Sequence, residues 1–128
     1  MDYKENYEKD YSSELRLKKM YIEKASFERK ESVNNRLDIK INHNVNKIDN
    51  ELYEIKIILD IMNKDASINI NVVMVGIFES NDEKLIQSNA ISIMFPYLRS
   101  YISTLTTQPD LVPIVLQPVN VLSLLSKQ

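Results

Sequence analysis

The chain has 128 residues, the length of one small domain, and its 44% hydrophobic and 27% charged residues exclude a disordered polymer. Lys and Arg total 16 against 18 Asp and Glu, a net charge of -2, so the basic surplus that phosphate binding requires is missing and no nucleic-acid partner is expected. The absence of cysteine excludes disulfides, a thiol nucleophile and any thiolate metal site.

Residues 1–18 form a charged N-terminal segment, with Tyr3, Tyr7 and Tyr11 spaced to share one face of a helix. From Met1 to Arg16 there is no apolar core of the signal-peptide kind. No run in the chain approaches the ~20 apolar residues of a spanning helix, so a cytoplasmic protein without membrane insertion is expected. Residues 19–128 are read as one domain.

The first predicted strand covers residues 20–27, where Tyr21, Ala25 and Phe27 have one parity and Met20 and Ile22 the other, as if both faces were partly buried. Residues 29–36 are polar apart from Val33, after which Leu37, Ile39 and Ile41 alternate with Asp38, Lys40 and Asn42 as a second strand. An Asn-rich stretch, residues 42–50, reads as a turn containing His43. In the third strand Tyr53, Ile55, Ile57, Leu59 and Ile61 share a face. The fourth begins by alternating at Asn69 and Asn71 and then becomes continuously apolar from Val72 to Val75, a pattern of burial on both faces. Short connections suggest that the strands form an antiparallel meander.

Asn81-Asp82-Glu83 opens a predicted helix whose apolar positions recur at Leu85, Ile86, Ala90, Ile93, Met94, Leu98, Ile102 and Leu105. Pro96 should bend or restart it before it ends near Thr106. Pro109, Pro113 and Pro118 enforce an extended connection, and residues 119–125 form a short final helix with Val121, Leu122 and Leu125 on its apolar side. The fold class is α+β, a four-stranded antiparallel sheet followed by two helices.

No chemistry assembles from these residues. His43 is the sole histidine and Gly76 the sole glycine, which excludes histidine-based dyads and glycine-rich phosphate loops. The carboxylates at Asp49–Glu51 and Asp82-Glu83 sit beside turns, where acidic residues cap helices or solvate loops. The expectation is a non-enzyme without cofactor or metal, whose function resides in apolar surface, most visibly at Leu111, Val112, Ile114, Val115 and Leu116.

Several short stretches resemble the SecB family of protein-export chaperones. Residues 20–28, Met-Tyr-Ile-Glu-Lys-Ala-Ser-Phe-Glu, look like its first strand, and Leu52-Tyr53-Glu54-Ile55 is similar to its Val-Tyr-Glu-Val. Gly76-Ile77-Phe78 matches its Gly-Ile-Phe, and Met94-Phe95-Pro96-Tyr97-Leu98-Arg99 its Leu-Phe-Pro-Tyr-Ala-Arg. Pro118-Val119-Asn120 resembles the Pro-Val-Asn before its last helix.

The resemblance implies dimers joined into a homotetramer, a dimer of dimers, and hydrophobic grooves that hold unfolded polypeptides or preproteins competent for translocation by the SecA motor. Groove candidates are Val33, Leu37, Leu111, Val112, Ile114, Leu116, Val121, Leu122 and Leu125. Candidates for the oligomer interface are Ile70, Val72, Met74, Phe95, Tyr97, Leu98, Tyr101 and Ile102, and Glu28 is the candidate for SecA docking. Lys24 and Asn71 stand where typical members carry carboxylates, the stretches between Phe27 and Leu37 and between Phe78 and Phe95 are contracted, and the sequence stops three residues after Leu125, where typical members continue into a longer acidic tail. A dedicated chaperone for the antitoxin of a toxin-antitoxin system and a non-chaperone oligomeric scaffold are the alternative readings.

Overall fold

The computed structural model describes residues 14–31 and 36–117. The expected final helix, residues 119–125, lies outside them. Four strands, β1 (Leu15–Arg29), β2 (Leu37–Asp49), β3 (Leu52–Asn63) and β4 (Ile68–Ser80), precede one helix, α1 (Glu83–Leu105). All pairings are antiparallel, but the order across the sheet is β1-β4-β3-β2. The expected meander holds for β2, β3 and β4, whereas β1 lies beyond β4 at the opposite edge from β2. Arg29 at the end of β1 and Leu37 at the start of β2 therefore stand at opposite edges of the sheet, roughly 14 Å apart at the usual strand spacing. Just after β1, Lys30 N–H donates to the Ser67 carbonyl at 2.8 Å, in the β3–β4 loop.

The strands are longer than their clearest alternation. β2 continues to Asp49 through the Asn-rich stretch expected to be a turn, because Asn42, Asn44 and Asn46 occupy the outer face while Ile41, His43 and Val45 point inward opposite Leu59, Ile57 and Ile55. The reversal falls instead at Asn50 and Glu51, where Glu51 has a φ of 64°. In β1 the pairing with β4 slips between Leu17 and Lys19 and between Ile22 and Lys24, two bulges that each place an additional residue against the partner strand. They explain the mixed parity: Leu15 and Leu17, then Met20 and Ile22, then Ala25 and Phe27 all lie opposite inward-facing positions of β4.

The β3–β4 loop is closed by polar contacts in place of glycine. The Asn63 side-chain oxygen accepts from Ile68 N–H at 2.9 Å, its amide nitrogen donates to the Ser67 hydroxyl, and Ser67 donates from N–H and hydroxyl to the Asp65 carboxylate at 3.1 and 2.7 Å. The Ser67 hydroxyl first, then its N–H, hold the Asp65 carboxyl below its ordinary range. Ala66 carries the positive φ, 56°.

α1 packs across β4, with β1 and β3 alongside. Asp82 caps it, accepting from Lys84 N–H at 2.9 Å, and Glu83 occupies its first turn. The helix runs unbroken through Pro96, which was expected to bend or restart it. The proline lies on the exposed side, and Ile91, Met94, Phe95 and Leu98 around it are all buried. Inward residues of β3 and β4 and the apolar side of α1 make one core, to which Ile114 and Leu116 of the following segment belong.

Candidate functional site

The only glycine is accounted for by this packing. A Cβ on Gly76 would lie 2.7 Å from Met94 Sδ and 2.8 Å from Phe78 Cε1, so α1 can descend onto β4 only because that position is bare.

Beyond α1 the chain turns at Pro109 and Asp110, where the Arg29 guanidinium at the end of β1 donates to both carbonyls, at 3.0 and 3.2 Å. Residues 111–117 then return along the helix as an extended segment in no sheet. Polar side chains of α1 and its cap take the place of a neighbouring strand. Thr106 Oγ1 accepts from Ile114 N–H at 2.8 Å, the Ser103 hydroxyl donates to the Ile114 carbonyl at 3.1 Å, and Arg99 Nε donates to the Leu116 carbonyl at 3.1 Å. Positions 99, 103 and 106 follow helical spacing, so one stripe of the helix presents all three groups. Thr106 is itself buried and donates to the Ile102 carbonyl at 2.7 Å.

This anchoring sorts the groove candidates. Ile114 and Leu116 are buried in the core and Leu111 is partly buried against it, whereas Val112 and Val115 are 83% and 64% exposed. Leu37 lies half-buried at the start of β2. Val33, Val121, Leu122 and Leu125 lie outside the described residues.

A second apolar strip, which sequence reasoning had divided between a strand and a turn, runs along the inward face of β2 through Leu37, Ile39, Ile41, His43 and Val45. Its pairing with the buried Ile55, Ile57, Leu59 and Ile61 puts it on the helix side of the sheet, yet Ile39 is 42% exposed. His43 Nδ1 is buried there without a hydrogen-bond partner among the described residues.

The interface candidates divide as well. Ile70, Val72, Met74, Phe95, Leu98 and Ile102 are buried within the subunit, where β4 meets α1; Tyr97 is 55% exposed and Tyr101 is partly buried. Tyr97 belongs to a helix surface of Gln87, Ser88, Asn89, Ser92, Ile93, Pro96, Ser100 and Thr104, none of them charged.

Glu28 lies on the other face of the sheet, opposite Asn69. The register puts Lys24, opposite Val73, and Asn71, opposite Ser26 and Asp60, on that same face. Asn71 donates its side-chain amide to the Asp60 carboxylate, and Lys56 pairs with Glu23 at 3.3 Å. Val75 is buried between its register partners Tyr21 and Lys56, with Lys19 Nζ 5.4 Å from the Tyr21 ring centroid. The outer face is thus a mixed surface with an apolar centre.

No described residues form a cluster of His, Cys, Asp or Glu able to hold a metal, and no described helix is long and apolar enough to cross a membrane. The architecture is an α+β unit with one long helix over a four-stranded antiparallel sheet, whose apolar side chains are incompletely covered by the described residues. The family follows from nearly the full length: the model for preprotein translocase subunit SecB matches residues 8–128, and the chain belongs to the SecB family.

Among solved structures, the fold is similar to the SecB-like chaperone of Mycobacterium tuberculosis, solved in complex with a ChAD peptide from an antitoxin. That match has a TM-score of 0.67 at 14% identity and covers 80% of this chain and 86% of the other. An uncharacterized protein of Methanocaldococcus jannaschii is 29% identical in an alignment 103 positions long that covers 73% of this chain and 66% of that relative.

Proposed function

We propose that this protein is a chaperone that holds non-native polypeptide by apolar contact and performs no chemistry on it. The observation that carries the reading is the set of apolar side chains that the described residues leave uncovered beside a well-packed core: Ile39 on the β2 strip, and Val112 and Val115 on a segment anchored firmly from behind. Contacts of this kind contribute roughly 25 cal/mol per Å² of apolar area buried, before the cost of ordering the bound chain. They require no particular sequence, which suits a holdase.

Membership of the SecB family supports delivery of preproteins to the Sec machinery, with groove contacts by Leu37, Leu111 and Val112, with Ile114 and Leu116 serving as their buried support, and docking of SecA through Glu28. The charge pattern supports a weaker SecA contact. On the outer face Lys24 and Asn71 stand beside Glu28, so a basic docking tail meets less negative potential there. The antitoxin peptide held by the structural neighbour favours the second reading, a dedicated chaperone for an aggregation-prone antitoxin. The uncharged surface of α1 around Tyr97 supports association between copies of this chain, since charged residues are depleted at the centre of protein interfaces, and membership of the family supports a homotetramer in the cytoplasm.

Aggregation of several unrelated unfolded proteins, followed by light scattering with and without the purified protein, tests the function. Suppression of all of them supports the general holdase. Suppression confined to an antitoxin supports the dedicated one, and no suppression leaves an oligomeric scaffold.

A further inference from the structure

We propose that residues 113–117 form a docking edge for an extended, unfolded client segment, which is held through its backbone as an added strand. The inference rests on the chaperone reading and specifies how the client is gripped. In an extended chain the N–H and C=O of one residue point to the same side, and those of the next residue to the opposite side. Ile114 spends both of its groups on Thr106 and Ser103, and Leu116 spends its carbonyl on Arg99, so residues 114 and 116 face the helix.

Pro113 C=O, Val115 N–H and C=O, and Gln117 N–H then face away from it. Among the described residues nothing bonds to the backbone of Val115 or Gln117. Among the described residues, the helix-facing edge is thus engaged at Ile114 N–H, Ile114 C=O and Leu116 C=O, and the opposite edge carries no bond. Side chains alternate with the same period, roughly perpendicular to these backbone groups: Ile114 and Leu116 are buried and Val115 is exposed, whereas Val112, exposed despite the parity of Ile114, lies ahead of the alternating stretch.

The chemistry of the occupant follows from this edge. Its groups alternate acceptor and donor at the spacing of a polypeptide backbone, and main-chain bonds of this kind bind without regard to sequence. Residues 111–117 carry no charge and Val112 and Val115 are the outward side chains, so the segment that fits is apolar and uncharged. Pro113 has no N–H, which limits the ladder to a short stretch at one end. A short, sequence-indifferent ladder suits a non-native chain and gives a folded partner little to hold.

The test uses the full-length protein and a fluorescein-labelled peptide of alternating valine and threonine flanked by lysines, prepared unmodified, N-methylated at the valines, or N-methylated at the threonines. Binding is followed by anisotropy. Backbone pairing predicts that one methylated peptide binds about tenfold more weakly while the other stays near the unmodified one. Val115→Pro, which removes the N–H while keeping an extended backbone, should weaken the unmodified peptide by about the same factor, and Val115→Ala by less.

Equal binding of both methylated peptides, or parental affinity in Val115→Pro, overturns the edge while leaving a chaperone that binds by side chains alone. A parent protein that suppresses aggregation and ignores the peptide also overturns it. One that does neither overturns the chaperone reading too. If Val115→Pro changes the native mass or the melting temperature while peptide affinity stays at the parental level, a second copy or the chain's own C-terminal residues occupy the edge, and the proposal falls.

Discussion

Gly76 of β4 lies directly beneath Met94 of α1: a Cβ on the glycine would sit 2.7 Å from the methionine sulfur. Gly76→Ala should therefore destabilise the fold by about 1–3 kcal/mol through overpacking. Met94 is flexible but the Phe78 ring, 2.8 Å from the same point, is less so. Shortening the methionine in Gly76→Ala/Met94→Ala should cost less than the sum of the two single changes, in a double-mutant cycle by urea denaturation. Additive costs would show that the helix does not rest on this position.

Thr106 is the pivot of the returning segment, since its hydroxyl accepts from Ile114 and donates to Ile102 within the core. Thr106→Val leaves the Ile114 N–H buried without a partner and should cost about 1–3 kcal/mol, while Thr106→Ser, which keeps the hydroxyl, should cost less. Chemical denaturation of both variants checks the difference. Faster amide exchange at Ile114 in the valine variant alone would place the loss in this segment.

His43 sets an unpartnered nitrogen into the apolar strip of β2. Replacing it with phenylalanine removes that group at similar size and should raise stability by about 1 kcal/mol. A lower melting temperature would mean that the imidazole is satisfied in solution.

The Asp65 carboxyl is lowered from 3.8 by bonds from Ser67. A carboxyl whose folded value is below its unfolded one contributes stability fully above the unfolded value, and loses it as pH falls through the folded one. Acid denaturation curves of the parent and Asp65→Asn should therefore differ near neutral pH, with the parent more stable, and converge once pH has dropped well below 3.8. Curves that stay parallel through that range would contradict the contact.

If Tyr97 and its uncharged surroundings close an assembly, Tyr97→Lys should reduce the native mass without altering far-UV circular dichroism. An unchanged mass would remove this face from the interface.

The sequence displayed its strands wherever one face was dry. Tyr53 to Ile61 alternate cleanly because β3 is interior to the sheet with one face under the core, and Asp82-Glu83 announced the helix because a cap is a local device. What was hidden depended on partners distant in sequence. The asparagines of β2 resemble a turn until their inward neighbours His43 and Val45 are paired with β3, and the place of β1 beside β4 is a matter of topology that no local pattern encodes.

The site was legible to a similar degree. Residues 111–117 stood out as apolar and extended, but which of them face outward depends on three side chains of α1 whose helical spacing could have been noticed and whose target could not. Ile70, Val72, Met74, Phe95, Leu98 and Ile102 were marked for an interface, and apolar spacing alone does not tell a contact within a subunit from one between subunits.

The two irregularities of β1 also define where the protein can change length. Lys18 and Glu23 are the residues left over when β1 is matched to β4, so removing either leaves every remaining pair in place. Removing Met20 or Ile22 instead takes a core residue out of its pair opposite Gly76 or Met74. Within one strand, deletions should therefore be tolerated at Lys18 and Glu23 and refused at Met20 and Ile22, so that relatives of this chain can differ in strand length while keeping the same inward residues.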